Sequence, residues 1–262
     1  MQNETKNVLL YEEKNRVAIV TLNRPEQHNA LSKSLLNNLD LILEKIKNDK
    51  NIKSVVIFGK GPSFCSGHDL KEMRQTTDKN EHKFLFELCS RVMTSIVKLP
   101  KPVIAGVQGT ATAAGCQLVA SCDLAIASNN SKFATPGVNI GLFCSTPMVA
   151  LSRNVNRKHA MEMLLLGDLI DTKKAVEIGL INRRVSMESL QKETLDLAYK
   201  IASKSSTILS IGKEGFYKQL EMNLESAYKY TSKVMTLNML EKDAKEGIEA
   251  FIDKRPPKWK EK

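Results

Sequence analysis

An α/β core carrying a helical C-terminal extension is the fold class that this sequence predicts, and two observations predict it. Through the first part of the chain, short apolar β-branched runs alternate with stretches of helical periodicity. Beyond Arg157 the pattern is mainly helical.

In order along the chain, residues 8–12 and 16–22 are β-rich runs around Glu13-Lys14-Asn15 and read as a hairpin. A loop, Asn23-Arg24-Pro25-Glu26-Gln27-His28-Asn29, follows. Ser32 then caps a helix whose apolar positions Leu35, Leu39, Ile42 and Ile46 share one face. Residues 54–58 are continuously apolar, as in a buried strand, and end in the turn Gly59-Lys60-Gly61-Pro62. A helix over roughly 81–97 is broken by Pro100-Lys101-Pro102, and 103–107 is a second buried strand. Small residues from Gly109 to Gly115 lead into a short helix with Leu118 and Val119. Residues 124–127 form another strand, closed by the turn Asn129-Asn130-Ser131. One strand-like piece, 180–185, interrupts the later helical pattern. Residues 190–202, 207–220, 224–240 and 244–252 read as four helices, and Arg255-Pro256-Pro257-Lys258-Trp259 as a helix stop with a tail. No internal repeat, low-complexity tract or linker is evident.

The composition excludes several classes. The chain has 262 residues, enough for one large domain with a real core. No apolar run is long enough to span a bilayer, so no membrane insertion is expected. Residues 1–7 are polar, with neither an apolar signal core nor an Arg-rich, acid-poor character, and the expected location is cytoplasmic. The five cysteines are odd in number and include no C-x-x-C pair, which indicates neither a disulfide framework nor a metal site. The net charge of +10 favours an anionic partner, either nucleic acid or a polyphosphorylated cofactor. Aromatic residues are 5% and are not interleaved with basic ones, so a base-stacking platform is not visible and nucleic acid is the less favoured of the two.

Two loops are candidate sites because each follows an apolar strand and precedes a helix, where open α/β sheets bind ligands. They are Phe64-Cys65-Ser66-Gly67-His68-Asp69-Leu70 and Ala113-Ala114-Gly115-Cys116-Gln117. Small residues let backbone approach a ligand, and helix N-termini offer free N–H groups. Two such groups aimed at one oxygen make an oxyanion hole.

These loops, in combination, resemble those of the crotonase superfamily, the enoyl-CoA hydratase/isomerase family. Leu22-Asn23-Arg24-Pro25 with Asn29-Ala30-Leu31, the two loops, Cys122-Asp123, residues 133–141 and 175–185, and Glu246-Gly247 to Arg255 also match, in order over nearly the whole chain. Within the family, Ser66-Gly67-His68-Asp69-Leu70 and Phe133-Ala134-Thr135-Pro136-Gly137-Val138 are most similar to one mitochondrial subgroup. The resemblance implies a ββα-repeat spiral core over residues 1–200 and a helical region over 201–262 that builds trimers, often paired into hexamers. It implies an acyl-CoA substrate, no tightly bound cofactor, and an oxyanion hole from the backbone N–H groups of His68 and Ala114. Gln27, His28 and Ser66 would line the coenzyme A groove, approached by Phe251 and Lys254 of a neighbouring subunit.

The pattern departs from the family at the two glutamates that handle water and the Cα proton, which align with Gln117 and Gly137. Gln117 cannot take up a proton at neutral pH, and Gly137 has no side chain. Hydration needs acid–base groups in reach, so standard syn-hydration is not expected. Some relatives with glycine at the second position, dihydroxynaphthoyl-CoA synthase among them, use bicarbonate or a substrate carboxylate instead. A glycine at 137 with φ > 0 would also resist replacement.

Among single residues, His68 serves through its backbone, with its imidazole a second-rank base. His28 either lines the groove or is an ordinary loop residue, and His82 and His159 read as structural. Asp69 reads as a helix cap and Asp123 as a buried structural partner. Glu72 and Glu87 are replacement acids only if their helices face the pocket. Cys144 reads as an inert pocket thiol, and Lys60 as an exposed lysine or a phosphate contact. The leading expectation is an acyl-CoA lyase or isomerase working through an enolate. A non-catalytic acyl-CoA binder is the alternative. RNA binding is the third reading, raised by the charge and by an RNA-binding relative within the family.

Overall fold

The computed structural model describes residues 7–260. The chain opens with an antiparallel hairpin of β1 (Leu9–Lys14) and β2 (Val17–Leu22). Its turn residues Asn15 and Arg16 both take positive φ, as a tight hairpin turn of matching twist requires. The helix α1 (Lys33–Asn48) begins where Ser32 Oγ accepts from Leu35 N–H at 3.2 Å. Its buried positions are Leu35, Leu36, Leu39, Leu43 and Ile46. Leu43 thus takes the central place expected of Ile42, which is only partly buried.

Strand β3 (Ser54–Gly59) is followed by the single turn α2 (Leu70–Met73) and the long α3 (Lys79–Lys98). A strand–strand–helix unit then appears: β4 (Val103–Val107), β5 (Thr110–Thr112), α4 (Ala114–Ser121). It recurs as β6 (Leu124–Ser128), β7 (Lys132–Ala134) and α5 (Pro147–Asn154). The chain continues through α6 (Arg157–Leu166), β8 (Ile170–Asp171), α7 (Thr172–Glu177) and β9 (Arg183–Val185). It ends in α8 (Met187–Ala202), α9 (Ser206–Gln219), α10 (Leu224–Met239) and α11 (Lys242–Ile252).

The main sheet has the order β1-β2-β3-β4-β6-β9 and is parallel from β2 onward. A smaller ladder, β5-β7-β8, is prolonged by isolated bridges between Cys65 and Ala111 and between Leu31 and His68. The first candidate loop and the strand that leads into the second therefore lie along one second layer. Its three-residue strands are too short to show an alternating pattern, which is why the sequence reading passed over β5 and β7.

One face of the main sheet packs on α1 and α3, in a core that includes Leu35, Leu88, Val92 and Ile57. The other face packs Val17, Ile19, Val56 and Ile104 against Ala198 and Ala202 of α8. Helix α9 is tied to the core through Asp123. Lys213 Nζ donates to Asp123 Oδ2 at 2.6 Å and Tyr217 O–H to Oδ1 at 2.9 Å, while Val103 N–H also donates to Oδ2. Asp123 is structural, as its place in the sequence indicated.

The expected tail is tied down. Arg255 binds both oxygens of Glu246, Lys258 N–H donates to Glu246 and Lys260 N–H to Asp243, and Trp259 Nε1 donates to Ser203 O at 2.8 Å. Buried carboxylates on α11, unseen in a linear reading, strap the segment down.

Candidate active site

The two candidate loops touch. Gly67 has φ +98, and a β-carbon there would lie 2.9 Å from Ala113 Cβ and 3.4 Å from Ala114 N. Only glycine combines that conformation with that approach. Thr112 Oγ1 donates to Ser66 O at 3.1 Å, and Ala113 N–H donates to Ala134 O at 2.9 Å, which adds the segment after β7 to the same group.

Ala113 itself is strained, with φ 49 and ψ −119, a conformation that costs an L-residue about 1–3 kcal/mol. It initiates α4 with no side-chain cap, so the first N–H groups of the helix are left for another partner. Among the described residues, neither the Ala114 nor the His68 N–H donates to any backbone carbonyl outside regular elements. Nothing in the sequence signals the strain at Ala113, because an alanine there looks like an ordinary helix former.

The His68 ring packs edge-on against Phe86, with centroids 5.3 Å apart. Burial lowers its pKa to about 4, so the imidazole is neutral at physiological pH. Its Nε2 is buried and has no partner. Gln117, one turn into α4, is buried with Oε1 unpaired, and Thr135, just after β7, is buried with Oγ1 unpaired.

Gly137 differs from expectation. Its φ is not positive, so conformational strain is not what bars a side chain there. The obstacle is steric: a β-carbon would meet Cys144 Sγ and Leu142 O, each at 2.9 Å. Gly137 N–H donates to Cys144 Sγ at 3.3 Å, and burial raises the Cys144 pKa, consistent with an inert thiol. The returning chain thus occupies the place that a side chain at 137 would take.

The replacement acids have other partners. Glu72 Oε2 accepts from Lys33 N–H at the start of α1, and Glu87 is exposed beside Lys83. Asp69 caps α2 through Lys71 and Glu72 N–H and pairs with Arg24 at 2.8 Å. Burial alone would raise its pKa, but the Arg24 contact and the N–H bonds outweigh that and hold it low.

At the rim, Gln27 and His28 are exposed, and Ser66 N–H donates to His28 O at 3.0 Å, so these three come together. The His28 ring meets Ser63 Oγ at 3.0 Å. Beneath them is a residue that the sequence reading did not single out: the fully buried Asn29 accepts from Arg24 N–H and donates to Lys60 O and Ser63 O. Phe251 and Lys254 stand exposed at the end of α11, which packs on α9 and α10. Lys60 is exposed and lines a separate cavity of about 500 Å³ between β1–β3 and the start of α8, which contains none of the loop residues above. Among the described residues, no cluster of metal-ligating side chains occurs.

The profile of the enoyl-CoA hydratase/isomerase family matches residues 12–262. The chain belongs to the enoyl-CoA hydratase/isomerase family. It is 49% identical over 242 residues to the human "Enoyl-CoA hydratase domain-containing protein 3, mitochondrial", covering 92% of this chain and 79% of that one. The crystal structure of human enoyl coenzyme A hydratase domain-containing protein 3 superposes with a TM-score of 0.94 at 46% identity, covering 96% and 100% of the two chains. An enoyl-CoA hydratase structure from Mycobacterium smegmatis gives 0.94 at 45% identity, covering 96% and 98%. The two-layer spiral of strand–strand–helix units is therefore the crotonase fold, and the subgroup resemblance read from 66–70 and 133–138 holds. The cytoplasmic expectation does not hold. Relatives 42–49% identical from frog, rat, mouse, human and zebrafish are all named mitochondrial. Seven polar residues are too short a stretch to carry a compartment.

Proposed function

We propose that this family member holds an acyl-CoA thioester with its carbonyl oxygen between the His68 and Ala114 N–H groups, and that it does not hydrate by paired carboxylates. The observation that carries the reading is the contact of the two loops at Gly67, with both N–H groups unspent. Two fixed donors on a carbonyl oxygen favour the enolate over the parent thioester and need no reorganisation when charge develops.

The carboxylates of a hydratase have no counterpart here. Gln117 is neutral, position 137 is closed by Cys144 and Leu142, and Glu72 and Glu87 are engaged elsewhere. The chemistry that fits is enolate formation without a protein carboxylate as base: decarboxylation, in which the electrons of the breaking C–C bond form the enolate as carbon dioxide leaves, or isomerisation or C–C lysis with a carboxylate of the substrate taking the proton. A second reading, a thioester binder that turns nothing over, is favoured by the burial of the His68 ring, which lowers its pKa to about 4 and makes it a weak base. Gln27, His28 and Ser66 would meet the coenzyme A moiety, with Phe251 and Lys254 supplied by a second copy. No resident cofactor is required by this scheme. The closed position at Gly137 also argues against a bicarbonate base there. The naming of the relatives makes the mitochondrion the compartment in which to look for the substrate.

Two measurements test the proposal. Calorimetry should show acetoacetyl-CoA binding more tightly than acetoacetate, and equal or absent binding of both overturns it. Crotonyl-CoA hydration, followed by loss of conjugated thioester absorbance, should fall at least about 10²-fold below that of a two-carboxylate hydratase. It should do so with and without bicarbonate. Hydratase-like turnover would show that another residue supplies the acid–base function.

A further inference from the structure

The His68 N–H owes its direction to the residues on either side of it. Leu31 N–H donates to Gly67 O at 2.7 Å, and Asp69 N–H donates to Leu31 O at 3.2 Å. Leu31 and His68 thus form a parallel bridge in which the flanking peptide groups, not those of His68, make the bonds. In such a pairing the bridging residue's own N–H faces the opposite edge. The His68 N–H therefore points away from Leu31 and is not spent by this ladder.

One side chain spans this pairing. Arg24 Nη1 donates to Ala30 O, and Arg24 Nη2 donates to Asp69 Oδ2 at 2.8 Å. Ala30 precedes Leu31 and Asp69 follows His68, so one guanidinium joins the two segments that aim the donor. The pair is largely enclosed, with side chains 16% and 13% exposed. A planar fork holds two acceptors at a fixed spacing, which an ammonium on a flexible stem does not. The other carboxylate oxygen of Asp69 accepts from the Lys71 and Glu72 N–H groups, so this anchor is itself fixed. Arg24 is held from behind as well. Its N–H donates to Asn29 Oδ1 at 2.8 Å, and Asn29 N–H donates to Arg24 O at 2.9 Å. His28 and Asn29 take φ 49 and 54 as the loop doubles back, a conformation that persists in such residues only where the surroundings hold it.

We infer that Arg24 is a positioning residue for the oxyanion donor: through Ala30 O and Asp69 it fixes where the His68 N–H points. It thereby sets how far a bound thioester carbonyl is polarised, rather than how tightly the coenzyme A part is held. This rests on the reading of the His68 and Ala114 N–H groups as oxyanion donors. Arg24 touches no reacting atom in this scheme. Hydrogen bonds weaken steeply with misalignment, and donors that act together must be held within about 0.5 Å of their places by a supporting shell.

The test reads the acidity of a bound ligand. Acetoacetyl-CoA gives up its α-proton to solvent and becomes an enolate with its own ultraviolet band. Titrating that band in the complex gives the apparent pKa of the bound thioester, which donors on the carbonyl oxygen lower. With the unmutated full chain this pKa should lie below that of free acetoacetyl-CoA. In Arg24→Met it should rise back by about one pH unit, a tenfold loss of preference for the enolate. The affinity for free coenzyme A, measured by calorimetry, should stay within about threefold. Arg24→Lys, which keeps the charge and loses the fork, should shift the pKa in the same direction and serves if Arg24→Met does not fold. A loss of fold stability alone does not move the pKa of a ligand on the folded protein. An unshifted pKa in the folded variant overturns the inference while the oxyanion reading stands. Equal weakening of coenzyme A and acetoacetyl-CoA also overturns it, since Arg24 would then shape the rim. A bound pKa in the unmutated protein no lower than that of the free thioester, or no binding, overturns the oxyanion reading and the inference together.

Discussion

His68 divides its work between backbone and ring. The N–H is the proposed oxyanion donor, and the ring, packed on Phe86, is part of the wall. The ring leaves a pH signature. Burial holds its pKa at about 4, below the ordinary 6.5. Between those values the unfolded chain takes a proton that the folded chain refuses, so folding stability falls as pH drops through that window. Above about pH 6.5 neither state is protonated, and the contribution is complete. The loss by pH 4 is on the order of 2–3 kcal/mol for a partly accessible ring. His68→Asn should flatten this limb. The check is the urea midpoint at pH 7 and at pH 5 for both proteins; an unchanged pH slope in the variant would mean that the ring is not held neutral by the fold.

At the scale of elements, α9 shows how the C-terminal helices are fastened to the core. Lys213 and Asp123 are largely buried, with side chains 7% and 16% exposed, and Tyr217 completes the cluster. Burial lowers the Lys213 pKa, and the Asp123 carboxylate opposes that shift. Removing either partner alone leaves a buried charge without its counter-charge, which costs about 3–5 kcal/mol, whereas replacing both with apolar side chains of similar volume costs much less. Asp123→Ala and Lys213→Met should therefore each destabilise by about that amount, and Asp123→Leu with Lys213→Met by clearly less than the sum of the two, in guanidinium unfolding. Equal small losses would show that α9 is held by packing alone. The spiral units act on the same scale. β5 and β7 are three residues each, yet they bring Ala114 and Thr135 alongside the first loop.

For the whole molecule, the exposed apolar surface of the last helices is the feature to explain. Helix α10 has no buried residue, and Leu224 and Leu240 at its ends are 76% and 78% exposed. Phe251 is 84% exposed on the helix that follows. A stable monomer does not carry so continuous an apolar face without use for it. We propose that the helical region beyond residue 200 is the self-association surface, giving a trimer or a hexamer. Light scattering at micromolar concentration should report one of these masses. Leu224→Glu with Leu240→Glu should shift the mass toward the monomer. A monomeric unmutated protein would end the proposal, and with it the role of a neighbouring Phe251 and Lys254.

What the sequence determined by itself was whatever is carried by local periodicity and by side-chain type. Ser32 capping α1, the apolar runs of β3 and β4, the Asp69 cap and the four last helices were legible because each depends on neighbours within a few residues. The loss of both carboxylates was equally legible, since Gln117 and Gly137 lack them whatever the fold. The tertiary structure alone decided the matters that depend on distant segments meeting. It put Cys144 against Gly137, buried Asn29 under the rim, and fastened the tail to Glu246 and Asp243. It also left three polar atoms at the site without partners. Contact across tens of residues leaves no period in a sequence, because it is set by how whole elements pack rather than by the order of residues within any one of them.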